Sequence, residues 1–306
     1  MSKWKRTTLI VAAACVAVGA VIVIGALAAA HGDWRKLNTS SAKYEQVTTE
    51  VSEAFTNLDI SVISDDVRLL PAPDGACRVV AWDSEEVYHI VDVQDDTLRI
   101  RMNQDGHEWS FWSIDFGPTA PDMGTLTLYL PESAYERVQI ETVSGEIDMP
   151  SDFAVQSAAL TTVSGTVRVS AAVEAGLTIQ TTSGDARVQN ITGGDVQIST
   201  TSGDVSLAGI RAERLELEST SGEIELRDAA ASGEARIETV SGEIDLDGFD
   251  AETIRIETIS GDVEGSIRTP KRYEVSTTSG DVRVPDSDPN GGLCEVHTTS
   301  GDVELQ

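Results

Sequence analysis

Three stretches decide the fold: IQTTSGDARV (179–188), ISTTSGDVSL (198–207) and LESTSGEIEL (217–226). They align without a gap at a spacing of 19 residues. Outward from them, a Ser-Gly pair recurs at Ser144, Ser164, Ser183, Ser202, Ser221, Ser241, Ser260, Ser279 and Ser300, at intervals of 19 to 21 residues. A period near 20 held over nine copies marks a solenoid, in which a repeat buries its apolar face only by stacking on its neighbours. With Ser as position zero, position −4 is always apolar: Ile140, Leu160, Ile179, Ile198, Leu217, Ile237, Ile256, Val275 and Val296. Position +3 is Ile147, Val167, Ala186, Val205, Ile224, Ile244, Val263, Val282 and Val303. Positions −6 and +5 follow the same rule, with polar residues between, and Gly265 is the exception at +5. This period-two alternation predicts a short strand on each side of every Ser-Gly pair. The expected fold is all-β: a parallel β-solenoid, a single-stranded β-helix of about 19–20 residues per coil, with coils about 4.8 Å apart.

Positions −6, −4, −2 and 0 share one parity, whereas +3 and +5 have the other. One residue is therefore skipped at the Ser-Gly pair, and the chain turns there. The serine and the threonine at −2 are expected to point inward. Glycine is expected at the corner because it tolerates φ > 0. The serine does not read as a nucleophile. It occurs nine times, while the chain has only His31, His89, His107 and His297 to serve as bases.

Position +2 is acidic at Glu146, Asp185, Asp204, Glu223, Glu243, Asp262, Asp281 and Asp302, and Thr166 interrupts the series. These side chains should face outward as a column that is solvated or holds divalent cations, calcium above all. Asp185, Asp204, Asp262 and Asp281 are the metal candidates of the column. Asp286, Asp288 and Asn290 copy the opening of an EF-hand loop, although the bidentate twelfth position would fall on His297. The calcium β-roll motif is not matched.

Residues 9–30, LIVAAACVAVGAVIVIGALAAA, carry no charge. At 1.5 Å per residue they cover about 33 Å, enough for a hydrocarbon core of about 30 Å. Lys3, Lys5 and Arg6 precede the span, and Trp4 and Trp34 flank it. The bias predicts one transmembrane helix with residues 1–8 cytoplasmic and the rest outside the cytoplasm, a single-pass protein of the cell membrane. Cleavage after Ala28–Ala30 and lipidation at Cys15 are the competing readings. A linker follows over 31–46. Irregular β coils and an aromatic cap fill 47–130, and the regular solenoid occupies 131–306. Within the irregular part, Leu58, Ile60, Val62, Ser64, Asp66, Val67 and Leu69 repeat the pattern with Asp65 in place of glycine. The insertion 103–124 holds Trp109, Phe111, Trp112 and Phe116, expected to cover the end of the core.

The chain has 306 residues, with 51 Asp+Glu against 22 Lys+Arg and a formal charge of −29. That excludes phosphate-tracking nucleic-acid binding. A hydrophobic content of 40% excludes an acidic disordered tail, and three cysteines exclude a disulfide scaffold. Cys77 and Cys294 are expected as separate thiols, because the coil count places them far apart.

The segment LTLYLPESAYERVQIETVSGEI (126–147), followed by TTSGDV units, resembles the putative-adhesin family of bacterial β-strand-repeat proteins, a domain of unknown function. The resemblance covers about residues 55–306 and implies a bacterial cell-envelope protein. It brings no catalytic residues and no cofactor. The expected role is non-enzymatic: a membrane-anchored extracytoplasmic scaffold, adhesin-like or envelope-stress interaction module, with an envelope protein or polysaccharide as partner. The alternatives are a divalent-cation-binding surface protein and a carbohydrate-active enzyme. An enzyme needs a unique carboxylate cluster, whereas these acids repeat evenly and the chain has only five lysines.

Overall fold

The computed structural model describes residues 44–85, 87–104 and 124–306. The apolar span 9–30, most of the predicted linker and the aromatic residues 109–116 lie outside the described residues. Among those described, the regular structure is entirely strand, 25 strands in all.

The first nine strands are β1 (Glu45–Val51), β2 (Asn57–Ser61), β3 (Asp66–Pro71), β4 (Cys77–Asp83), β5 (Val87–Gln94), β6 (Thr97–Gln104), β7 (Thr125–Leu130), β8 (Ala134–Glu141) and β9 (Ile147–Met149). From β8 onward each repeat contributes one strand before its corner and one after it. The strands before the corner form one parallel ladder, in which Val138 pairs with Ala158, Ala158 with Leu177, Leu177 with Val196 and Val196 with Leu215. The strands after the corner form a second ladder, running Ile147, Val167, Ala186, Val205 and Ile224. Equivalent positions thus stack directly, as the alternation requires. Ile140, Ile179, Ile198, Leu217, Ile237 and Ile256 have no exposed surface. Each such side chain contributes about 2 kcal/mol of apolar transfer free energy. β1 begins at Glu45, inside the predicted linker, and pairs antiparallel with β4.

Two expectations about the corner are corrected. The serines at position zero are exposed, and the glycine after them is buried in every coil but that of Gly280. The chain therefore points −2 inward, −1 and 0 outward, and +1 inward. None of the Ser-Gly glycines has positive φ. Glycine is required for close approach instead: a Cβ on Gly203 would lie 1.8 Å from the Gly184 carbonyl oxygen, and one on Gly184 1.8 Å from that of Gly165. Left-handed backbone occurs at a second corner, seven residues after the serine, at Asn190 (φ 58°), Gly209 (φ 66°), Asp228 (φ 50°) and Gly248 (φ 63°). Asn, Asp and Gly are the residues that visit this conformation readily. The next residue re-enters the core, as Ile191, Ile210, Ala229 and Phe249.

The order of coils also departs from sequence order at both ends. β2 pairs with β6 on one side and β8 on the other. At the far end, strand Gly292–Thr298 lies between Ile244–Glu257 and Lys271–Thr277. Strand Val303–Leu305 likewise lies between Val263–Ile267 and Val282–Arg283. The repeat of Ser300 is thus the penultimate coil, and that of Ser279 the last. A common period makes all coils equivalent as partners, so the pattern leaves their order open. The irregular part is not purely parallel either. β5 pairs antiparallel with β6 through a turn at Asp95 and Asp96, both with positive φ, and β4 pairs antiparallel with β7.

Candidate functional site

The repeated corner is the first candidate, and most of its inward hydroxyls are engaged in holding it, Thr298 Oγ1 being buried without a partner. The Oγ1 of Thr162, Thr181, Thr200, Thr239 and Thr258 accepts a hydrogen bond from the glycine amide three residues on, at 2.9–3.1 Å. Ser219 does the same for Gly222 at 3.0 Å. The hydroxyls of Ser164, Ser202, Ser221, Ser241 and Ser260 donate to a carbonyl of the preceding coil, as Ser202 Oγ does to Thr182 O at 3.3 Å. A serine so engaged, with no imidazole beside it, is a structural clip.

The acidic column has a comparable occupation. Asp185 Oδ1 accepts the amide of Asp204 at 3.2 Å, and Asp204 Oδ1 that of Glu223 at 3.0 Å. Asp262 Oδ1 accepts from Asp302 N, and Asp302 Oδ1 from Asp281 N, each at 2.8 Å. The carboxylates follow the interchanged coil order. An aspartate side chain has the reach for this bond. Glu146 turns aside to Arg168 at 2.5 Å instead. Asp185 also meets Arg187 at 2.9 Å, and Asp281 meets Arg283 at 3.5 Å. Partial burial and the surrounding acids, with Glu264 and Glu223 foremost, raise the pKa of Glu243.

The EF-like stretch folds back along the last coil. Asp288 N donates to Lys271 O, Asp288 Oδ1 accepts from Asn290 N at 2.9 Å, and Ser287 Oγ accepts from Tyr273 N. Pro285, Asp286 and Pro289 lie in this stretch, which runs beside the edge strand of the stack and blunts it. Among the described residues, no three His, Cys, Asp or Glu side chains come together as a metal-holding group.

A second candidate is absent from the sequence pattern. A groove of about 500 Å³ crosses the coils along the connections that follow the second corner. Its floor is Ala212, Ala231 and Ala251, which stack in register. The corresponding row in earlier coils carries Tyr135, Val155 and Val173, and the drop in side-chain size opens the groove. Lys271 closes one end. Its side chain is 4% exposed, and its Nζ lies 2.6 Å from Asp250 Oδ1 and donates to Ala251 O at 2.5 Å. Thr269 Oγ1 donates to the same Asp250 oxygen at 2.9 Å. Arg211 lines the other end, where it meets Asp228 at 2.9 Å. The groove is lined by neither histidine nor cysteine. Its lining is a narrow apolar strip with an ion pair at each end, Lys271 with Asp250 and Arg211 with Asp228, and with Glu213 and Glu252 beside it. The signal in the sequence was the replacement of a bulky residue by alanine at one position of successive repeats.

Solved structures share this architecture. The chain is similar to a putative adhesin from Parabacteroides distasonis (TM-score 0.54, 11% identity, 87% of this chain and 98% of the other). It is similar to a putative lipid binding protein from the same species (TM-score 0.53, 16% identity, the same coverage of both chains). A putative adhesin from Parabacteroides merdae gives a TM-score of 0.50 at 11% identity, again covering 87% and 98%. No curated protein matches the chain. The family match is to Toastrack DUF4097 over residues 55–286, three quarters of the chain, and the chain therefore belongs to the Toastrack DUF4097 family.

Proposed function

We propose that this chain is a non-enzymatic, adhesin-like interaction module of the bacterial cell envelope, anchored by residues 9–30 and presenting the solenoid outside the cytoplasm. The observation that carries the reading is the uniform use of the repeat chemistry. Hydroxyls and aspartates at the corners bond to backbone, which among the described residues leaves a regular charged surface and an alanine-floored groove as features open to a partner. The adhesin neighbours support the same reading. The lipid-binding neighbour makes an acyl-bearing envelope component a partner to include among the tests.

Cells carrying the full-length chain are compared with cells lacking it for retention on immobilised envelope polysaccharide and on lipid-coated beads. Retention should depend on the chain and fall with Ser232→Trp, a substitution at an exposed rim position of the groove. Equal retention with and without the chain refutes the interaction role. Protease added to intact spheroplasts should digest the repeats, and protection until lysis refutes the orientation.

The second reading, divalent-cation binding along the acidic column, has the series of outward acids in its favour. The amide bonds accepted by Asp185, Asp204, Asp262 and Asp302 satisfy part of the demand that a cation would meet.

A further inference from the structure

The glycine column of the corners has one substituted member. Asp65 occupies the glycine slot of the coil formed by β2 and β3, and the Gly145 corner packs on its carbonyl. An inward side chain fits there because the layer beyond is irregular. Asp65 is 3% exposed. It faces His89, which takes an inward position on β5 in a row otherwise made of Val87, Val91 and Val93. The His89 side chain is 2% exposed, its Nε2 lies 3.4 Å from Asp65 Oδ2, and its Nδ1 lies 2.7 Å from Asp83 Oδ1. Asp83 ends β4 and also accepts the His89 backbone amide at 3.2 Å.

This geometry specifies a protonation state. A neutral imidazole donates from one nitrogen only. With Nδ1 donating to Asp83, the Nε2 lone pair would face a buried carboxylate oxygen that has no hydrogen-bond partner in the structure. With both carboxylates ionised, only the doubly protonated ring matches both neighbours. The other charged groups nearby are otherwise directed. Arg101 on β6 pairs with Asp59, Arg99 on β6 with Gln94, Arg78 on β4 with Asp74, and Asp66 accepts the Glu146 amide. Arg68 on β3, Glu45 and Glu50 on β1, and Asp92 on β5 itself are exposed, and β7 carries no charge.

Among the described residues β5 is the outermost strand of its ladder, paired to β6 alone. We propose that His89, as an imidazolium clamped between Asp65 and Asp83, is a pH-operated latch that holds β5 on the end of the solenoid and releases it when the ring loses its proton. Deprotonation leaves two buried carboxylates without a cation between them and weakens the seat of β5. Release opens the edge of β6 to pairing with another strand.

Burial alone would lower the His89 pKa. The hydrogen bonds and charges of Asp65 and Asp83 outweigh it, and the pKa is raised above 6.5. A raised folded-state pKa makes the contribution complete below the released pKa of about 6.5 and lost as pH climbs through the clamped value. The latch is closed in acid and loosened in base.

The test is hydrogen exchange on the full-length protein between pH 5 and 9, corrected for intrinsic exchange chemistry. Protection of residues 87–94 should fall with rising pH, by up to about tenfold per pH unit across the window between the two pKa values. Protection of Asp195–Ser199, in mid-stack, should not change. His89→Gln should give low, pH-independent protection of β5. Asp65→Gly restores the corner residue of every other coil and keeps the test open if the first variant misfolds. It should lower the His89 pKa read by NMR and flatten the exchange profile. A pH-independent profile in the native chain, or the same pH dependence in Asp65→Gly, overturns the proposal.

Discussion

Substituting Gly203 by alanine is the sharpest test of how the coils are held together. The added Cβ would sit 1.8 Å from Gly184 O, 2.4 Å from Gly184 C and 3.0 Å from Asp185 N. Ordinary contact with a carbonyl oxygen needs about 3.3 Å, so the two coils must separate locally by about 1.5 Å. Three of the bonds that cross the coils at this corner are Ser202 N to Thr182 O at 3.0 Å, Ser202 Oγ to the same oxygen at 3.3 Å, and Asp204 N to Asp185 Oδ1 at 3.2 Å. At about 1 kcal/mol each their loss amounts to about 3 kcal/mol, and overpacking adds about 1 kcal/mol or more. The expected destabilisation is about 4 kcal/mol, read from the midpoint of urea unfolding. Gly209→Asn is the control. Gly209 has φ 66°, Asn190 holds the same conformation one coil earlier, and the nearest atom to a Cβ on Gly209 would be the end of the Asn190 side chain at 2.9 Å, with backbone no nearer than 3.8 Å. That change should stay within about 1 kcal/mol. Near-native stability of Gly203→Ala, or a larger loss in Gly209→Asn, would refute close approach as the reason for the glycine column.

Calcium should raise the melting temperature no more than sodium at matched ionic strength if the aspartates serve only the backbone ladder, and a larger, saturable rise with calcium would establish cation binding along the column. Burial pushes the thiols of Cys77 and Cys294 up to about 11 and about 12, the second against the opposing charge of Lys271. Both should resist alkylation at pH 8 in the native protein and react fully after denaturation without reductant. A bond between them would contradict their placement at opposite ends of the stack.

The coil was legible because its signal is redundant. Apolar residues recur nine times at −6, −4 and +3 and eight times at +5, and the structure stacks them in the register that their positions imply. The direction of Ser183 and its equivalents was not legible, since alternation identifies inward positions only within a strand and the corner interrupts it. The glycine was identified correctly but for a different reason. Steric contact with the next coil leaves no trace that differs from a demand for φ > 0. Asn190 and Asp228 mark the second corner by composition, a signal that the alternation of apolar and polar residues within the strands does not carry. The groove depends on side-chain size at one position, and a pattern of apolar against polar does not distinguish Ala231 from Val173. His89 was counted only as one of too few bases. Its partner Asp65 was noticed as a missing glycine, but the antiparallel return of β5 that brings the two together has no repeat to predict it.

The interchange of coils at both ends changes how such a stack can come apart. In a simple solenoid each coil touches the one before it in sequence, about 20 residues away, and the array peels from its tips. Here the tip formed by the repeat of Ser279 is not a chain end: that layer is an internal loop of the polypeptide, and strand Val303–Leu305 lies one layer in. Closing these layers joins residues 80 apart at one end, Asp66 with Glu146, and 40 apart at the other, Arg255 with Glu295. Such contacts form late and slowly, because their loop-closure cost precedes any gain. Once formed, they act like the tucked end of a wound cord. At that end the stack cannot lengthen by copying its last repeat, since that repeat is already enclosed, and fraying must first open an internal layer.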